Sequence, residues 1–105
     1  MTLVSHITID AESLEHRGND YQLFYINNGI DVPIIRNTNV LSSRMGNKKY
    51  IYRFQFYFIY QSKITLRAFI NDNKYELDIK LDTYRDKYLL KLHKNGDEYS
   101  IYENL

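Results

Sequence analysis

A mostly β chain, α+β at the margin, is predicted: an antiparallel meander of about eight strands, closed as a small barrel or folded as a sandwich. Three observations predict it. Apolar and polar residues alternate with period two along most of the 105 residues. Asn28-Gly29 and Asn95-Gly96 punctuate these runs, and Asn-Gly suits a two-residue hairpin turn that needs positive φ at both central positions. Tyr, Phe and Ile, which favour a pleated and half-buried surface, are abundant, whereas Ala occurs only at Ala11 and Ala68.

The first strand covers residues 3–9, with Leu3, Ser5, Ile7 and Ile9 on one face. A short helix is expected near residues 11-17, with Asp10 as N-cap, Arg17 near its end and Gly18 as the left-handed residue that stops it. The Asn28-Gly29 turn pairs Tyr25 with Val32, Leu23 with Ile34 and Tyr21 with Arg36. Pro33 has no N–H to donate, so residues 30–36 should form an edge strand or a bulged one. Residues 37–48 read as a polar loop.

The stretch KYIYRFQFYFIY, residues 49–60, is the most distinctive. Alternation places Tyr50, Tyr52, Phe54, Phe56, Phe58 and Tyr60 on one face and Ile51, Arg53, Gln55, Tyr57 and Ile59 on the other. Phenylalanines occupy the middle of the first face and tyrosines its ends. That is a core strand, with bare rings inside and hydroxyls near the rim. Burial then selects the register of the next hairpin, because a one-residue slip flips every side chain. A loop at 61–63 puts Phe58 beside Leu66 and Phe56 beside Ala68, and on the other face Tyr57 beside Arg67 and Gln55 beside Phe69. Farther on, Tyr75, Leu77, Ile79 and Leu81 point inward, and Arg67 is expected beside Asp78. The Asn95-Gly96 turn should pair Leu92 with Tyr99, Leu90 with Ile101 and His93 with Glu98.

Charge is segregated. Residues 1–31, 32–71 and 72–105 carry net −4, +7 and −2, and the middle segment has no acid at all. The binding residues this singles out are Arg36, Arg44, Lys48 and Lys49 in the expected loop, with Arg53, Gln55, Tyr57, Arg67 and Phe69 on the expected outward face of the 50–70 hairpin. Arginine beside Tyr and Phe is the composition of protein-interface hot spots. The same set can stack bases and hold phosphates of RNA or single-stranded DNA.

No catalytic motif is present, and His6, His16 and His93 match no metal-ligand spacing, so neither an enzyme, a cofactor nor a metal is expected. No apolar run reaches the roughly 18 residues of a membrane helix. The amino-terminal residues do not read as a secretory signal, and cysteine is absent, which favours the cytoplasm. Codon bias implied by abundant Lys, Asn, Ile, Tyr and Phe hints at an AT-rich genome. The expectation is a single domain over residues 1-105, a small non-enzymatic binding protein that contacts a protein partner. It would act as an inhibitor or accessory protein of phage or mobile-element type, with nucleic-acid binding as the alternative. A homodimer joined through an edge strand is compatible with the charge segregation.

Overall fold

The computed structural model of the chain describes residues 2–13, 21–42 and 48–103, with the backbone alone for residues 13, 38–42, 48 and 49. Nine strands are present among them: β1 (Val4–Ser13), β2 (Tyr21–Asn27), β3 (Ile30–Pro33), β4 (Ile35–Ser42), β5 (Lys48–Ile59), β6 (Lys63–Ile70), β7 (Asn73–Lys80), β8 (Lys87–Asn95) and β9 (Glu98–Glu103). They form two sheets, a five-stranded one in the order β4-β5-β1-β8-β9 and a four-stranded one in the order β3-β2-β6-β7. The mostly β expectation holds, and of its two closures the sandwich is the one adopted. The meander is replaced: four consecutive hairpins are laid alternately into the two sheets, and β1 runs parallel to β8.

Alternation explains the core. Ile7 and Ile9 of β1, Phe54 and Phe58 of β5, Leu23 of β2, Leu66 and Ala68 of β6, Leu77 and Ile79 of β7 and Leu90 of β8 are all buried in one cluster between the sheets. Each fully buried Ile, Leu or Phe contributes about 1.5–3 kcal/mol through removal from water. Tyr52 is also buried, and Tyr50, Phe56 and Tyr60 pack at the margin, so the even-numbered face of β5 is core as expected.

Turn chemistry sets the hairpins. Asn28 and Gly29 have φ of 51° and 79°, and Tyr25 pairs with Val32, as expected for a type I′ turn. The β6–β7 turn is Asn71-Asp72, also with positive φ at both residues. Short polar Asn and Asp tolerate that region, and the turn sets Arg67 against Glu76 rather than Asp78. At the last hairpin Gly96, with φ of 65°, takes the first central position and Asp97 the second, the type II′ arrangement. The register therefore moves by two residues: Leu92 faces Ile101, Leu90 faces Glu103 and His93 faces Ser100.

Three larger differences matter for function. Ala11, Glu12 and Ser13 continue β1 and pair with Tyr52, Ile51 and Tyr50, so the expected helix does not begin there; Ala11 is buried and completes the inner face. The remainder of the 11-17 segment lies outside the described residues. The expected 37–48 loop is largely strand: Ile35–Ser42 pairs with β5 from Gln55 to Lys48. Its sequence shows no apolar alternation, and its inner positions include Arg36. Finally, β5 and β6 do not pair. The chain crosses between sheets at residues 60–62, where the Tyr60 N–H donates to the Leu3 carbonyl at 2.8 Å and the Leu81 N–H to the Ser62 carbonyl at 2.7 Å. Burial demanded that the even face of β5 and that of β6 meet, and they meet across the core instead of side by side.

Candidate functional site

The outer face of the five-stranded sheet is laid out in rows by its registers. Val4 stands beside Ile59. Lys87, His6 and Tyr57 follow across β8, β1 and β5. The next row is Leu89, Thr8, Gln55 and Ile35, reaching β4, and the next Lys91, Asp10, Arg53 and Asn37. Tyr57 is 74% exposed, Ile35 76% and Ile59 60%, with Val4 and Leu89 also exposed. These five side chains sit on adjacent rows of one uncovered face. The polar Thr8 and Gln55 stand between Leu89 and Ile35, and Asp10 and Arg53 follow on the next row.

The polar residues of this face differ from one end to the other. Arg53 is bidentate on Asp10, Nε to Oδ1 and Nη2 to Oδ2, both at 2.8 Å. The paired carboxylate holds the Arg53 guanidinium above its ordinary pKa. Lys91 reaches Glu12 at 3.6 Å. Gln55 donates to the Thr8 hydroxyl at 3.3 Å, and the rings of His6 and Tyr57 meet edge to face at 4.7 Å.

Arg67 and Phe69, expected beside Tyr57 and Gln55, lie on the outer face of the other sheet. Arg67 Nη1 donates to both oxygens of Asp31, at 2.8 and 2.6 Å, and Nη2 to Glu76 at 3.2 Å. It thereby clamps the four-residue edge strand β3 to the middle of its sheet. Phe69 meets Phe24 edge to face at 5.6 Å and is half-buried. Arg36 points to the inner side of β4, donates to the Tyr21 carbonyl at 2.8 Å and places its guanidinium 5.1 Å from the centre of the Tyr52 ring, closing that edge of the sandwich. Lys48 and Lys49 pair with Ser42 and Leu41 through the backbone, and Arg44 lies outside the described residues. Of the nine predicted binding residues, Arg53, Gln55 and Tyr57 share the patch.

The sequence does not single out Val4, Ile35, Leu89, His6 or Lys87 as a group, although alternation places Ile59 on the outward face. Each stands at an outward position of its strand, and that much was readable. What brings them together is the pairing of β5 with β1 and of β1 with β8, contacts between residues roughly 50 and 80 positions apart for which no local signal exists.

A cleft of about 510 Å³ adjoins the patch at the end of the sandwich. Val4, Tyr57, Ile59 and Phe58 line one side, and Tyr25, Asn28 and Val32 of the β2–β3 hairpin the other. Its lining contains no charged residue. Burial holds the Tyr25 hydroxyl above its ordinary pKa.

Over the described residues these features define a nine-stranded, two-sheet β-sandwich with exposed apolar side chains on one outer face. Compared with protein-family models, curated proteins and solved structures, the chain matches none. Among the described residues no cluster of three or more His, Cys, Asp or Glu could hold a metal, and no helix is long and apolar enough to cross a membrane.

Proposed function

We propose that the chain is a small non-enzymatic binding protein that occupies and modulates a protein partner through the outer face of the five-stranded sheet. The observation that carries this reading is the run of Val4, Ile59, Tyr57, Ile35 and Leu89 on adjacent rows of that face. Val4, Ile59 and Tyr57 supply an apolar group, Thr8 and Gln55 stand between Leu89 and Ile35 on the next row, and Arg53 lies beyond, a mix of apolar and polar groups that suits an interface. The adjoining uncharged cleft offers room for one apolar anchor side chain. An inhibitory or accessory role in a reducing cytoplasm suits a chain without cysteine.

The arrangement favours a protein over a nucleic acid. A single-strand groove combines a track of cations with stacking rings. Here Arg53 and Arg67 are on opposite faces, and each is held by a carboxylate. Affinity capture from lysate, with and without nuclease, tests the reading. A captured partner should survive nuclease, be lost with Tyr57→Glu combined with Ile59→Glu, and be retained with Lys74→Glu on the opposite face. Retention by the first variant, or release by nuclease, would overturn it.

A further inference from the structure

The charges on the five-stranded sheet's outer face are unevenly satisfied. At one end Asp10 is matched by Arg53, and Glu12 by Lys91. At the other end Lys87 is exposed and forms no ion pair among the described residues. No acid occupies its row or the two rows beside it, where Val4, Ile59, His6, Tyr57, Leu89, Thr8, Gln55 and Ile35 stand. The carboxylate of Asp86, next in the chain, accepts the Tyr84 hydroxyl at 2.9 Å.

Those rows form a shallow concavity of about 500 Å³ lined by His6, Thr8, Gln55, Tyr57, Lys87 and Leu89. Adjacent strands lie about 4.8 Å apart, so Lys87 and Tyr57 flank His6 across a span of roughly 10 Å. An ammonium, a phenol, an imidazole and an amide converge there without a carboxylate. One lysine matches one anionic group, whereas a phosphate backbone calls for a series of cations. Apolar residues border the concavity on both sides, Val4 and Ile59 on one and Leu89 and Ile35 on the other.

We propose that this concavity receives an Asp or Glu side chain of the protein partner, carried within a segment that has apolar residues on both sides of it. The inference rests on the outer face being the contact surface and adds the partner's chemistry. Lys87 supplies the charge, and Tyr57 and His6 hold the carboxylate in place, with Val4 and Ile59 on one side and Leu89 and Ile35 on the other.

Panning a random 12-residue peptide display library on the full chain tests this. Enriched peptides should carry an internal Asp or Glu flanked by apolar residues. A synthetic copy should lose about tenfold or more in affinity for Lys87→Glu, as expected when one member of a close charge pair is reversed, and keep it for Lys87→Arg. Replacing the peptide acid with its amide should weaken binding to the native chain and have little effect on binding to Lys87→Ala. Peptides without acidic enrichment, or indifferent to Lys87→Glu, overturn the carboxylate inference. If such peptides are still lost with Tyr57→Ala and Ile59→Ala, the contact face stands without it. Enrichment confined to free carboxyl-terminal peptides, displacement of the peptide by a mixed-sequence RNA oligonucleotide at low salt, or no enrichment at all would each overturn it too. In that last case lysate capture alone decides the contact face.

Discussion

The two outer faces of this sandwich are built from similar residues and reach opposite states. On the four-stranded sheet Arg67 is shared between Asp31 and Glu76, Thr65 donates to Asp78 at 2.8 Å, Lys63 lies 3.4 Å from Asp78, and Phe24 shields Phe69. No large hydrophobic on that outer face is exposed among the described residues. On the outer face of the five-stranded sheet the ion pairs among the described residues are those of Asp10 and Glu12, and Tyr57, Ile59, Ile35, Val4 and Leu89 are left in water. A face whose cross-strand pairs are complete has little left to offer a partner. Arginine and aromatic residues are thus a poor marker of a binding surface on their own, and what distinguishes the faces is whether each group already has a neighbour.

The severest test strikes the core that both faces share. The Phe54 ring is fully buried between the sheets, so Phe54→Ala should cost about 3–5 kcal/mol through lost transfer energy and the cavity left behind. Denaturant unfolding followed by tyrosine fluorescence and by far-UV circular dichroism should show one coincident transition at lower midpoint. Two separated transitions would show sheets that fold independently, and the comparison of faces would become one of two separate units. Next in size is the joint between the sheets, where the rings of Tyr21 and Tyr52 lie 5.3 Å apart. Burial first, then the neighbouring Tyr99 and Tyr52, pushes the Tyr21 hydroxyl up to about 12 from its ordinary 10. A raised folded-state value means this stabilisation is complete below pH 10 and is lost as pH rises toward 12. Melting temperatures between pH 8 and pH 12 should fall less steeply above pH 10 for Tyr21→Phe than for the native chain. Parallel curves would remove Tyr21 from the joint.

How legible all this was depended on sequence distance. The type I′ turn at Asn28-Gly29 was readable because its chemistry is local. The inward faces of β5 and β7 were readable because alternation needs no partner. The β6–β7 and β8–β9 registers shifted because several Asn, Asp and Gly residues in each turn can take positive φ, and the competition between them leaves no mark in the sequence. The strand β4 was obscured by polar side chains, since a strand at a sheet edge buries little and so needs few apolar residues. The largest gap was the partner of β5. Packing Phe56 and Phe58 against the β6 side satisfies the same apolar preference whether the strands are neighbours in one sheet or oppose each other across a core, and hydrophobicity cannot separate the two. For that one reason Arg67 and Phe69 fall on the other sheet, and His6 and Lys87 stand beside Tyr57.

A smaller effect sharpens the contrast within the five-stranded face. Arg53 is 41% exposed and its partner Asp10 15%. Solvent screens such a pair, and Arg53→Met should cost about 0.5–1 kcal/mol. Tyr57→Ser, which touches no completed pair beyond the ring of His6, should change stability by no more than about 0.5 kcal/mol. Chemical denaturation midpoints of the two variants check the order. A larger loss from Tyr57→Ser would place that ring in the structure rather than in the contact surface.

The smallest effect separates the faces by pH. Asp78 is held below the usual carboxylate range, first by the hydrogen bond from the Thr65 hydroxyl and then by Lys63 and Lys80. A lowered folded-state value means its contribution is present above the ordinary 3.8 and is lost as pH falls through the lower folded value. Asp78→Asn should therefore reduce the melting temperature slightly at pH 7 and flatten its fall below pH 3.8, because the titrating group is gone. Tyr57→Ser, on the other face, should leave the acid limb with its native slope, since no charge is removed there. The two melting-temperature profiles from pH 7 to pH 2 decide the matter. If Asp78→Asn runs parallel to the native chain, the ladder on the four-stranded face is held by packing rather than by completed charge.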